Sequence, residues 1–285
     1  MKVILSRKGF DSENGKMPSA IMPNGDVVSF PIPSEDNATF DDLRYGNTSY
    51  KRILDSLAQK KFGCGCEGFP QRHCHVDPDL TKTRWTNVHR NWKPAFGPSW
   101  DVWHYLNATV GIKKDDIFLF FGTFHFLIQK TPGDFEFSVR TGDFFHDSDL
   151  HLIWGYLQIG DILLDPEKIK REYPWHPHAG GRLLIIPRKR LSFAPSKPGY
   201  GLLPFSIDRV LTSEGKSKAY WKYNKIYSPD NIIVAKGRKN SSRDRDCIYY
   251  SGIWQELGLK ESKTTENWCK RMIMGHNVSR SGGVK

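Results

Sequence analysis

Residues Ile117–Ile128 read IFLFFGTFHFLI, and residues His151–Leu164 read HLIWGYLQIGDILL. Neither run alternates apolar with polar side chains. The first is nearly continuous and aromatic, so it is predicted to be buried on both faces of a sheet or inside a closed one, and the second is predicted to be another strong strand. Gly155 and Gly160 interrupt the second run and are predicted bulge or bend positions. A polar excursion, 129–150, joins the two runs.

On either side of these runs, Val3-Ile4-Leu5 reads as a short first strand and Arg182–Ile186 as another, flanked by Pro174, Pro177 and Pro187. Asn24-Gly25 between Ala20-Ile21-Met22 and Val27-Val28 is a hairpin signal. Residues 39–61 are predicted helical, with Tyr50, Ile53, Leu54 and Leu57 at helical spacing. Residues 99–109 and 261–276 are expected to form further helices. Residues 248–258 could be helix or strand. The stretch 62–100 is irregular and rich in Gly, Pro, Cys, His and Trp, a length of loop that is commonly functional. The fold class is therefore α+β: one domain over 1–285, with a β-rich central sheet or small barrel at about 110–190, flanking helices, long loops and a polar tail at 276–285.

The chain has 285 residues, 42 Lys+Arg against 31 Asp+Glu, and a formal charge of +11. Such a balance points to a polyanionic partner, or to a surface that is simply basic. No apolar run approaches the ~18 residues of a membrane span, and the N-terminus lacks a signal-peptide core. The five cysteines, with no export signal, fit a reducing cytoplasm better than a disulfide scaffold. There is no GxxxxGK[ST], no GxGxxG after a strand and no GxSxG, which argues against nucleotide hydrolysis, dinucleotide chemistry and the hydrolase elbow.

Several polar groups could carry chemistry. His75, Asp77 and Asp79 lie two apart, so an extended backbone would turn all three to one side, fit for acid–base work or a hard cation; the alternative is a capped turn. Asp11 and Ser12 follow the first strand, behind Arg7 and Lys8. Phe121-Gly122, His125, His151, Tyr156 and Gln158 sit on the strong strands. There they are either satisfied core residues or the walls of a base pocket, with Trp154 and Tyr156 expected on the same face. His176 and His178 flank Pro177 and could serve metal, phosphate or only a loop. Cys64, Cys66 and Cys74, with a neighbouring His, are a poorly spaced zinc set. Lys236, Arg238, Lys239, Arg243 and Arg245 form a basic run suited to a nucleic-acid backbone or to solvent.

The order of the two strong strands, Asp116 to Gly122 and then Gly155 to Asp161, resembles the centre of the PUA-like barrels, including the ASCH and EVE groups, which bind RNA or read modified bases in DNA. More broadly, four motifs in this order resemble the nucleotide-modification-associated domain of the third type. They are KVILSRKGFD (2–11), CHVDPDL (74–80), DIFLFFG (116–122) and HLIWGYLQ (151–158), followed by HPH (176–178). That resemblance implies a part in hypermodification of DNA bases in phage and bacterial settings, beside other base-modification enzymes. It implies DNA or a nucleotide as substrate and names no cofactor. Read as an enzyme acting on a nucleobase or nucleotide, the chain is expected to use Asp11, His75, Asp77 and Asp79 as the acid–base group. Arg7, Lys8, Ser12, Phe121, Gly122, His125, His151, Tyr156, Gln158, His176 and His178 are expected to bind substrate. A reader of modified bases without catalysis, and a basic partner of a modification enzyme, are the rival expectations.

Overall fold

A computed structural model of the protein describes residues 1–62, 68–237, 240–252 and 255–275. Among these, the main sheet has ten strands: β1 Val3–Arg7, β2 Ser19–Ile21, β3 Val27–Val28, β4 Ile117–Thr131, β5 Asp134–Phe137, β6 Leu150–Leu163, β7 Leu184–Pro187, β8 Tyr200–Leu202, β9 Ile232–Ile233 and β10 Glu256–Leu259. The spatial order is β7-β6-β4-β1-β10-β9. The class is α+β, and the sheet is open, not a small barrel. Its two ends explain why it stops. The outer edge of β7 is covered by a single bridge, Phe96 exchanging two backbone bonds with Ile185 (3.0 and 2.7 Å), and β9 is two residues long.

The two apolar runs do form the longest strands, paired antiparallel with each other. Both faces are covered, as the continuous hydrophobicity of the first run predicts. Val3, Leu5, Leu119, Phe121 and Ile153 enter one core, while Ile4, Phe118, Phe120, Leu152 and Trp154 enter the other. The β4–β6 ladder shifts register between Ile153 and Gly155, and the β6–β7 ladder between Ile159 and Asp161. The first shift has a consequence that simple alternation misses. A bulge adds one residue, so side chains beyond it change faces. Trp154 therefore packs in one core and Tyr156 in the other, instead of sharing a face.

The predicted hairpin forms, with Ala20 opposite Val28 and Ile21 opposite Val27. The long helix begins later than expected, at Tyr50, and runs to Phe62, burying Ile53, Leu54, Leu57 and Ala58. Residues 39–49 instead make a tight pair of two-residue strands, Arg44–Tyr45 and Thr48–Ser49. Trp100–His104 is α-helical and Tyr105–Val110 is a wider π turn. Lys263–Met274 is helical, and the ambiguous stretch before it is strand, β10.

One topological feature places the site. β4 is long enough to take β1 and then β2 end to end along the same edge, both in parallel. Residues 8–18 must therefore leave the sheet and return within it. They leave where Lys8 N–H donates to Phe121 C=O (2.8 Å). Gly122 permits that exit, because a Cβ there would stand 2.4 Å from Lys8 O. The outgoing loop carries Asp11 toward the loops bearing His75, Asp77 and His178.

Candidate active site

His75 ends a two-residue strand, Cys74–His75, paired with Ile32–Pro33. Asp77 N–H donates back to His75 C=O (2.9 Å), a three-residue turn that breaks the extended run. For this reason Asp79 does not join the other two. It lies buried and accepts from Arg84 Nη2 (3.0 Å), Trp85 Nε1 (3.0 Å) and Trp92 Nε1 (2.6 Å). Its three accepted hydrogen bonds hold the surrounding loop.

Asp77 and His75 meet the later His-Pro-His segment. His75 Nε2 lies 3.1 Å from His178 Nε2. The other ring nitrogen of His75, Nδ1, lies 2.6 Å from Asp36 Oδ2. His176 Nε2 and His178 Nε2 stand 3.5 and 3.8 Å from the two oxygens of Asp77. Gly97 N–H donates to Asp77 Oδ1 (2.8 Å). Gly97 also lets the His178 ring pack against the backbone, since a Cβ there would fall 2.3 Å from the ring. The result is a chain of four groups, Asp36, His75, His178 and Asp77, with His176 behind it. His176 Nε2 is buried and has no hydrogen-bond partner within normal distance.

The electrostatics follow from this packing. Burial pushes the Asp77 carboxyl up, but contact with His176 and the charges of His178 and Lys8 outweigh it, and its pKa falls to about 2. Burial pushes His178 down, Asp77 pulls it up, and the neighbouring His176, His75 and Lys8 push it down again, to about 4. At neutral pH the site thus holds an ionised carboxylate beside an uncharged imidazole. Because Asp36 can only accept, His75 Nδ1 is the donor in that contact.

The four-group chain opens on a hollow of about 320 Å³ walled by Arg7, Lys8, Asp11, Asn14, His75, Asp77, Ser99, His178 and Gln255. A second hollow of about 350 Å³ shares Ser99 and His178 and adds Trp100 and Arg182. Two other hollows, of about 680 and 870 Å³, have no histidine in their walls. His75, Asp77 and His178 are also the group among the described residues whose ligand atoms could meet at one metal ion, all within 4.8 Å of one another.

The remaining expected residues divide clearly. Asp11 lies at the hollow, but its Oδ1 accepts from the Glu13 and Asn14 backbone in an Asx turn, and Arg7 stands 3.7 Å from Oδ2. Lys8 is paired with buried Glu256 (3.1 Å). Ser12 is exposed and does not line the hollow. Phe121, His151 and Tyr156 belong to the core on the other side of β4 and β6. His151 Nδ1 accepts from Trp221 Nε1 (2.9 Å), between Phe121 and Tyr250, and burial holds its pKa near 3. Gln158 is fully buried and spends its amide on Asp115 C=O and on Ser192. His125 bridges Asp149 (2.9 Å) and Ser138 C=O (2.9 Å). Gly122 serves the backbone exit already described. Cys74 is a core thiol that burial pushes to about 12, a poor metal donor; Cys64 and Cys66 lie outside the described residues. Lys236, Arg243 and Arg245 are exposed, Arg243 stacking on Tyr223; Arg238, Lys239 and the tail 276–285 lie outside the described residues.

Asp36, Gly97, Ser99 and Trp100 are not among the residues that motif and spacing single out. Asp36 sits in an ordinary polar loop, Ser34-Glu35-Asp36-Asn37, 39 residues before its partner. No spacing rule links them. Gly97, next to Pro98, is the one legible signal of close backbone approach.

Residues 2–259 match the family described as nucleotide modification associated domain 3. No curated protein and no solved structure matches the chain.

Proposed function

Since the chain belongs to the nucleotide modification associated domain 3 family, and so to proteins of nucleotide modification, we propose that it catalyses a proton-transfer step on a nucleobase or nucleotide at the His178–Asp77 cleft. The observation that carries this reading is the chain Asp36–His75–His178–Asp77 ending at a solvent-open hollow. His178 is uncharged at neutral pH and can accept a proton. It takes the proton on the ring nitrogen turned away from His75 and passes its Nε2 proton to His75 Nε2. Asp36, across the ring, stabilises the charge that then develops on His75. Asp77, kept ionised, holds His178 in place and offsets the positive charge while the proton is in transit.

The adjoining hollow suits the substrate. Trp100 is exposed and stands beside His178 with Arg182. An indole for the base and a guanidinium for the phosphate are the groups that hold a nucleotide or a flipped base. Arg7 and Lys8 lie at the same mouth, and their positive charge favours an anion even while they pair with Asp11 and Glu256. Binding of a DNA backbone along Lys236, Arg243 and Arg245, and cooperation with other modification enzymes, belong to this same proposal. The rival reading, a non-enzymatic reader built on strand aromatics, loses support because Phe121 and Tyr156 are core residues.

The test is nucleoside mass spectrometry of DNA and of the free nucleotide pool from cells expressing the protein with its genomic neighbours. A new or missing mass with the native protein, absent with Asp77→Asn, is expected. General acid–base groups contribute about 10²- to 10⁴-fold in rate. A mass that persists unchanged with Asp77→Asn would refute the assignment.

A further inference from the structure

We propose that His75, His178 and Asp77 form a binding site for one divalent transition-metal ion, in a two-histidine, one-carboxylate arrangement with open positions toward the hollow. This rests on the same cleft as the proposed function, and when bound the ion would replace the His178-to-His75 relay as the group that activates the proton to be transferred.

The first argument is geometric. Two imidazole nitrogens bound to one ion at about 2.1 Å, at an angle between octahedral and tetrahedral, stand about 3.0 to 3.4 Å apart. The Nε2 atoms of His75 and His178 are 3.1 Å apart. An Asp77 oxygen lies 3.8 Å from His178 Nε2, and all three ligand atoms fall within 4.8 Å. The ion would take the place of the single proton that the two facing nitrogens otherwise share.

The second argument is the outer shell, which a chance cluster lacks. A metal-bound histidine commonly donates its other ring N–H to a carboxylate, which fixes the tautomer and turns the lone pair to the ion. His75 does so, with Nδ1 2.6 Å from Asp36. Asp77 is oriented by the Gly97 N–H (2.8 Å). The buried His176 Nε2, without a hydrogen-bond partner, is aimed at the same carboxylate.

The third argument is chemical. Imidazole suits zinc, iron, cobalt, nickel and copper, whereas magnesium and calcium prefer all-oxygen sites. Three protein ligands leave positions for water and substrate, the mark of a catalytic ion and not a structural one. The hollow of about 320 Å³ on that side provides the space.

The experiment uses the full chain, stripped of metal with a chelator and titrated with Co²⁺ and Zn²⁺ by calorimetry and visible absorption. Expected are one ion per chain and cobalt d–d bands without a thiolate charge-transfer band. His178→Ala and Asp77→Asn are expected to lose binding at least tenfold. Asp36→Asn is expected to weaken it about 10- to 100-fold. The double change Cys64→Ser, Cys66→Ser should leave it intact, and circular dichroism checks that each variant folds. No stoichiometric uptake, or uptake abolished by the cysteine changes and not by His178→Ala, overturns the site. An ion bound by a protein that alters no nucleoside upholds the site and refutes the proposed reaction. Asp77-dependent modification by metal-stripped protein in excess chelator does the reverse.

Discussion

Two histidines of this protein have lost their charge to burial, and they do opposite work. His151 stands on β6, where the sheet encloses it between Phe121, Trp221 and Tyr250, and its lone pair is taken by the Trp221 N–H. His178 stands on a loop after a proline, partly open to a hollow, with its Nε2 facing a second imidazole and a carboxylate. The same contrast separates Asp79, held by three donors inside a loop, from Asp77, two residues earlier, at the cleft. The buried His151 Nδ1 and the Asp79 carboxylate are both paired, because a buried unpaired polar atom costs about 1–3 kcal/mol. Loop positions held by a rigid sheet can leave a valence turned to solvent, and chemistry needs one free.

The pair of aspartates puts this contrast to its strongest test. Asp79→Ala is expected to destabilise the fold by about 3–5 kcal/mol, because it leaves the buried Arg84 guanidinium without its counter-charge. Urea unfolding measures it. A variant as stable as the native protein would place Asp79 outside the structural group. Asp77→Asn is expected to lower stability far less while removing the modification activity.

The two histidines can be compared by pH. In an unfolded chain both titrate near 6.5. In the folded chain His178 is lowered to about 4 and His151 to about 3. Between those values the unfolded state binds protons that the folded state refuses. Stability is therefore expected to fall as pH drops below about 6.5, by about 2 kcal/mol per histidine at pH 5. Asp77, lowered to about 2, adds nothing in this window, since its contribution is lost only as pH falls below the ordinary carboxylate range. His125 has the opposite sign. Asp149 and Ser138 C=O raise it against the pull of burial, and its contribution is present at low pH and lost as pH rises. Unfolding curves at pH 7 and pH 5 for native, His178→Asn and His151→Asn proteins separate the shares. A difference between pH 7 and pH 5 that neither His178→Asn nor His151→Asn reduces would contradict the burial of these rings.

The smallest effect is expected at the exposed basic loop. Arg243→Ala with Arg245→Ala should change stability by under about 0.5 kcal/mol. It should also reduce the slope of log affinity for duplex DNA against log salt by about 1.8, or about 0.9 for each phosphate no longer neutralised. An unchanged slope would assign this loop to solvent.

Much of the molecule is legible in local pattern. Continuous apolar runs locate β4 and β6, Gly155 and Gly160 mark their bulges, and Asn24-Gly25 marks the β2–β3 hairpin. The helix at Tyr50 shows its buried stripe, although it starts later than spacing suggests because tertiary contacts draw residues 39–49 into bridges. Simple alternation fails for Trp154 and Tyr156 because one inserted residue reverses every face beyond it. His75, Asp77 and His178 can be named as candidates from their residue types alone.

Their relation is not legible. His75 and His178 are 103 residues apart, and no periodicity spans that distance. Composition and local spacing suffice for the α+β class, the buried strands, the basic balance and a short list of polar residues, because these depend on hydrophobicity and order within one element. Long-range packing was needed for the rest. It gives β4 two parallel strands end to end and expels the loop between them. It sets Asp79 among the donors of its own loop and Asp77 at the floor of the cleft, and brings Asp36 to His75. Those outcomes depend on which loops meet over one edge of the sheet, where the free energy of burying and pairing each polar group is settled by neighbours remote in the chain.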